Sequence, residues 1–83
     1  METRVAIVSM IVGKDGDVEA LNQILHEYNT YIIGRMGIPY REKGINIISV
    51  AVDAPQDAIA ALSGKLGSLN DVSIKTAYSS VQG

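Results

Sequence analysis

Residues 4–12, RVAIVSMIV, carry apolar side chains on both parities of one continuous run. Successive side chains of an extended chain point to opposite faces. Val5, Ile7 and Ile11 therefore face one way, and Ala6, Val8, Met10 and Val12 the other. A strand that is apolar on both sides belongs inside a sheet with both faces covered. INIISVAVD, residues 45–53, repeats the pattern, with Ile45, Ile47 and Ala51 set against Ile48, Val50 and Val52. Whatever fold the chain adopts must place these two segments centrally and supply two covers.

The connecting segments limit what those covers can be. Gly13-Lys14-Asp15-Gly16 is a turn cluster. From Asp17 the period changes: Val18, Leu21, Ile24, Leu25 and Tyr28 fall at helical spacing, so an amphipathic helix starts there, capped by Asp15 or Asp17 and closed by Asn29 and Thr30. YIIGRMGIPY, residues 31–40, reads as a strand weakened by Gly34, Gly37 and Pro39, which suits a sheet edge. Arg41-Glu42-Lys43-Gly44 closes a hairpin, its glycine taking a left-handed position.

Asp53-Ala54-Pro55-Gln56 predicts a second helix start, with an Asp cap, an early proline and Gln three residues on. Ile59, Leu62, Leu66 and Leu69 mark its inner face, and Gly67 its stop. A last strand is expected over 72–78, with 81–83 as a frayed tail.

The order β-α-β-β-α-β over one domain, residues 1–83, predicts an α+β, ferredoxin-like sandwich with sheet order 4-1-3-2 and both helices on one face. The second sheet face then lacks an internal cover. An 83-residue chain with no cysteine to staple it is expected to self-associate, stacking sheet on sheet as a dimer or tetramer. We assign Val8, Met10, Val12, Ile48, Val50 and Val52 to that oligomer interface.

Several function classes start weakly. A net charge of −2 offers no footprint for nucleic acid, and none of the four tyrosines lies on the two central strands, where base stacking would need an aromatic. No nucleophile–base pair or carboxylate pair can be read, so no catalytic residue is named and no enzyme is expected. His26 stands alone, a weak candidate for a metal, and no cofactor is expected. No apolar run is long enough to span a bilayer and no signal-peptide pattern is seen, so a cytoplasmic location is expected. For an anionic effector the candidates are Arg35 and Arg41 with Gly34 and Gly37, and Gly13 and Lys14 at the N-terminus of the first helix. If Tyr40 pairs with Ile45, Gly34 meets Ala51 and Met36 meets Ser49. A shallow depression then forms on one face, with Arg35 on the other.

HEYNTYIIGRMGIPYREKGINIISVAVDAPQDAIAALSGKLG, residues 26–67, resembles the small proteins described as iron-only hydrogenase system regulators. The runs I-I-G-R-M-G-I-P-Y-R-E-K-G-I and A-L-S-G-K-L-G are that family's most distinctive stretches, and the resemblance extends from the first strand to Ala77-Tyr78. It implies a stand-alone ACT-like domain, similar in fold to the C-terminal sensing domain of nickel-responsive repressors, whose role in the hydrogenase system is inferred. The resemblance implies an oligomer that binds a small effector or a hydrogenase-system protein at subunit boundaries, or a ligand-free assembly partner. The nickel site of those repressors uses several histidines and a cysteine, which this sequence does not supply. Met1-Glu2-Thr3 leads directly into the first strand without a ribbon-helix-helix segment, so no direct contact with nucleic acid is expected.

Overall fold

The computed structural model describes residues 2–80, so the tail expected at 81–83 lies outside the described residues. The elements follow the order expected from the sequence: β1 (Arg4–Val12), α1 (Val18–Glu27), β2 (Ile32–Tyr40), β3 (Ile45–Ala54), α2 (Gln56–Gly67) and β4 (Val72–Tyr78). Short 3₁₀ turns at Asn29–Tyr31 and Arg41–Lys43 lead into β2 and β3. The sheet runs β2-β3-β1-β4, the expected order read from the opposite edge, and every pairing is antiparallel. This is a small α+β fold of ferredoxin-like arrangement. Among the described residues no helix is long and apolar enough to cross a membrane.

Local chemistry accounts for most element ends. The Asp17 carboxylate accepts from the Ala20 backbone N–H at 3.0 Å, capping α1. Gly44 adopts a left-handed φ of 64°, which closes the tight link between β2 and β3. The hairpin register is the expected one: Tyr40 opposes Ile45, Met36 opposes Ser49 and Gly34 opposes Ala51. A bulge between Ile32 and Gly34 then breaks the ladder.

The start of α2 differs from expectation. Strand β3 continues through Asp53 to Ala54, so the cap position falls on Pro55 and no side chain caps the helix. Gln56 does not reach back to the helix start either; its Oε1 accepts from Arg4 Nη1 at 2.9 Å. At the far end Gly67 is helical and Ser68 is the cap. A Cβ on Gly67 would come within 3.2 Å of Ile74 Cγ2, so this glycine serves helix–strand packing more than a left-handed stop.

The core is one cluster. Leu21 and Leu25 of α1 and Ile59, Leu62 and Leu66 of α2 pack onto Ala6, Val8, Met10, Val12, Ile48, Val50, Val52 and Ala54. Fully burying a side chain of this kind contributes roughly 1.5–3 kcal/mol. Among the described residues no polar side chain is buried.

Candidate functional site

The core corrects one expectation from the sequence. Val8, Met10, Val12, Ile48, Val50 and Val52 are all buried beneath the chain's own helices, so they cannot form the oligomer interface. The open face belongs to the opposite parity. The reason is chemical: that parity includes Ser9, Ser49, Asp53 and Lys75, whereas the helix-covered parity of β1 and β3 is apolar from Ala6 to Val12 and from Ile48 to Ala54. Helices that must exclude water take the face whose central strands carry no hydroxyl or charge over those spans.

The register orders the open face into rows across the strands in the sequence β2, β3, β1, β4. One row is Ile38, Ile47, Ile11 and Ser73; the next is Met36, Ser49, Ser9 and Lys75; the third is Gly34, Ala51, Ile7 and Ala77. Tyr40 and Ile45 continue one end, Val5 and Asp53 the other. Val5, Ile7, Ile11, Met36, Ile38 and Tyr40 retain between 39% and 52% of their exposure, although every one is large and apolar. The hydroxyls of Ser9 and Ser49 lie 3.4 Å apart at the centre, partly satisfying each other. A contiguous patch of this kind is the candidate interaction surface of the molecule. Gly34, Met36, Ser49 and Ala51 border the shallow depression expected from the hairpin register.

Arg35 lies on the helix side of β2, opposite Val50. Its Nη2 donates to the Asn22 Oδ1 of α1 at 3.0 Å. Asn22, Leu25, His26, Asn29, Ile32 and Arg35 line an open groove of about 290 Å³ between α1 and the sheet edge. Sequence reasoning named Arg35 and His26 but did not join them, and it missed Asn22 and Asn29. The available signal was the spacing of Asn22, His26 and Asn29, which places them along one polar stripe of a helix.

The Gly13–Asp17 turn is shaped by a residue that sequence reasoning did not single out. The Gly13 N–H donates to the Asp71 carbonyl at 2.8 Å, and the Asp15 N–H donates to Asp71 Oδ2 at 3.1 Å. A Cβ on Gly13 would overlap the Asp71 carboxylate, and Asp71 itself holds a positive φ of 56°. The chain's own carboxylate thus stands where an anionic effector would meet the Asp15 amide. Gly13 is a close-approach glycine in this turn.

The effector candidates therefore do not form one site. Gly34 is on the open face; Arg35 is on the helix side, in the groove with His26. Gly37 opposes Ile48 with open space around it. Arg41 belongs to the turn before β3, where Lys14 lies beside Gly44. Among the described residues, no group of three His, Cys, Asp or Glu side chains is placed to hold a metal ion.

A family model described as "Iron-only hydrogenase system regulator, putative", of the TM1266-like family, matches residues 4–76. The solved structure of the uncharacterized protein TM1266 from Thermotoga maritima is similar, with 35% identity and a TM-score of 0.89. That match covers 93% of this chain and 98% of the other. A formyltetrahydrofolate deformylase from Pseudomonas putida KT2440 shares the fold at 18% identity and a TM-score of 0.62, over 87% of this chain but only 28% of the enzyme. No curated protein matches the sequence.

Proposed function

The chain belongs to the TM1266-like family of iron-only hydrogenase system regulators, and on that premise we propose that it is a non-enzymatic, cytoplasmic regulatory module of ACT-like kind. It acts as a homo-oligomer, a dimer or tetramer, and changes its packing or partner affinity when a small effector or a hydrogenase-system protein binds at its subunit boundaries. The observation that carries this reading is the open sheet face, with Ile7, Ile11, Met36 and Ile38 each about half exposed in three adjoining rows. Covering that face with a second copy removes the apolar surface from water, and an effector acts only by binding the covered and uncovered states unequally.

For the effector, the groove around Arg35 is the strongest of the candidate positions. It offers a guanidinium, two amides and an imidazole over a floor of Leu25 and Ile32, with no carboxylate in its lining. The test is thermal denaturation of the protein against panels of metals, nucleotides and small carboxylates, with oligomer mass followed by light scattering. An anionic effector predicts a stabilisation that disappears in Arg35→Ala and survives Gly13→Ala. A rise that depends on His26 alone would favour a metal. A second reading, a ligand-free assembly partner in hydrogenase maturation, is favoured by the Asp71 carboxylate already filling the anion position of the first turn. Under it no compound shifts the melting temperature, while a hydrogenase-system protein still binds.

A further inference from the structure

Among the depressions and projecting side chains of the open face, two of each match one another. The first depression, about 260 Å³, is bordered by Gly34, Met36, Ser49 and Ala51 at the β2–β3 edge. The second, about 310 Å³, is bordered by Ser9, Ile11, Ile47, Ser73 and Lys75 towards the β4 edge. Within the chain nothing requires the first to be empty: a Cβ on Gly34 would meet no atom within 4 Å, and its φ is not left-handed. Ile7 and Ile38 project from the same face at 46% and 45% exposure.

From these positions we infer that a second copy of this chain stacks on the open face about a two-fold axis running along the strands between β1 and β3. This rests on the self-association proposed above and specifies its geometry. Such an axis lies in the plane between the sheets and keeps each row at its level while exchanging β3 with β1 and β2 with β4. Ile38 of one copy then enters the depression at Ser73 of the partner subunit. Ile7 enters the depression at Ala51 and Gly34 of the partner subunit. Both contacts occur twice, as an isologous interface requires.

Lys75 separates this axis from one that runs across the strands. An axis across the strands through the middle row would set Lys75 against Lys75 of the partner subunit and Ile7 against Ile11 of the partner subunit. The chosen axis instead lays the aliphatic stem of Lys75 over the Met36 thioether of the partner subunit, leaving the ammonium at the rim. Ser9 meets Ser49 of the partner subunit, so the four central hydroxyls, otherwise desolvated without enough partners, can bond to one another. The area is sufficient, though modest. Four strands about 4.8 Å apart and some 25 Å long give a flat footprint of about 500 Å² per copy, so two copies bury about 1,000 Å², near the lower bound for a specific interface.

Ile38 and Ser73 provide the test, because they sit on opposite edges of one sheet, three strand spacings or about 14 Å apart. Only contact between copies can couple them. Ser73→Leu fills a depression and Ile38→Ala removes a knob, so each variant alone should weaken self-association by about tenfold or more while leaving the melting temperature of the monomer nearly unchanged. Mixed one to one, the two should form a heterodimer within about threefold of wild-type affinity, since one contact is repaired and the other is native. The chain has no cysteine, so Met36→Cys and Lys75→Cys introduce single thiols. A short bis-maleimide should join these two variants to each other and neither to itself. Self-linking of each thiol variant in a dimeric sample would overturn the axis, as would uncoupled Ile38 and Ser73. A monomeric mass for the wild-type protein would overturn the open-face reading itself.

Discussion

The two faces of this sheet are built from the same two central strands, yet they do different work. On one, Val8, Met10, Val12, Ile48, Val50 and Val52 are almost wholly buried under α1 and α2. On the other, Val5, Ile7, Ile11 and their neighbours on β2 stay about half exposed around a pair of serines. Hydrophobicity alone does not tell the faces apart. Interruption does on the two central strands: their helix-covered parity carries no hydroxyl from Ala6 to Val12 or from Ile48 to Ala54, whereas their open parity carries Ser9 and Ser49. The covered face sets whether the chain folds, and the open face is the one proposed to meet a second copy.

The largest expected effect lies on the covered face. Leu25→Ala or Leu66→Ala removes a fully buried side chain and should cost about 2–5 kcal/mol in urea denaturation. A loss below about 1 kcal/mol would mean that the helices do not pack as described. The turn between β1 and α1 comes next. Gly13→Ala drives a methyl group into the Asp71 carboxylate and should destabilise by about 1–3 kcal/mol. Asp17→Ala removes the cap of α1 and should cost about 1 kcal/mol, read from the same denaturation curves.

The smallest stability effect belongs to Arg35→Ala. One exposed hydrogen bond to Asn22 is lost, so the folded state should change by no more than about 0.5 kcal/mol, while any anion-dependent thermal shift disappears. A large destabilisation would make Arg35 a structural residue and remove it from the candidate groove.

The sequence made much of this legible. Period-2 and period-3.6 patterns located all six main elements, and the Tyr40–Ile45 pairing correctly aligned Gly34 with Ala51. The two faces were separable by parity, but parity does not say which one the helices take. Ser9, Ser49 and Lys75, which do say it, are distinguished only when the two faces are weighed against each other. The lock on the first turn was hidden for a different reason. Asp71 lies more than fifty residues from Gly13, and no local pattern announces a carboxylate arriving from the turn that leads into β4, the strand paired beside β1. The α2 start was misplaced because Asp53 and Gln56 fit a capping pattern, while pairing with β1 carries the strand past that aspartate to Ala54.

The claim that the open face is made for a second copy is tested most directly by sedimentation equilibrium of the wild-type protein beside Ile11→Asp. Ile11 is half exposed and outside the core, so the variant should fold with nearly native cooperativity. The wild-type protein should sediment at twice the monomer mass or more at micromolar concentration, and Ile11→Asp as a folded monomer. A wild-type protein that remains monomeric at about a hundred micromolar, or a variant that retains the wild-type oligomeric mass, would contradict the account.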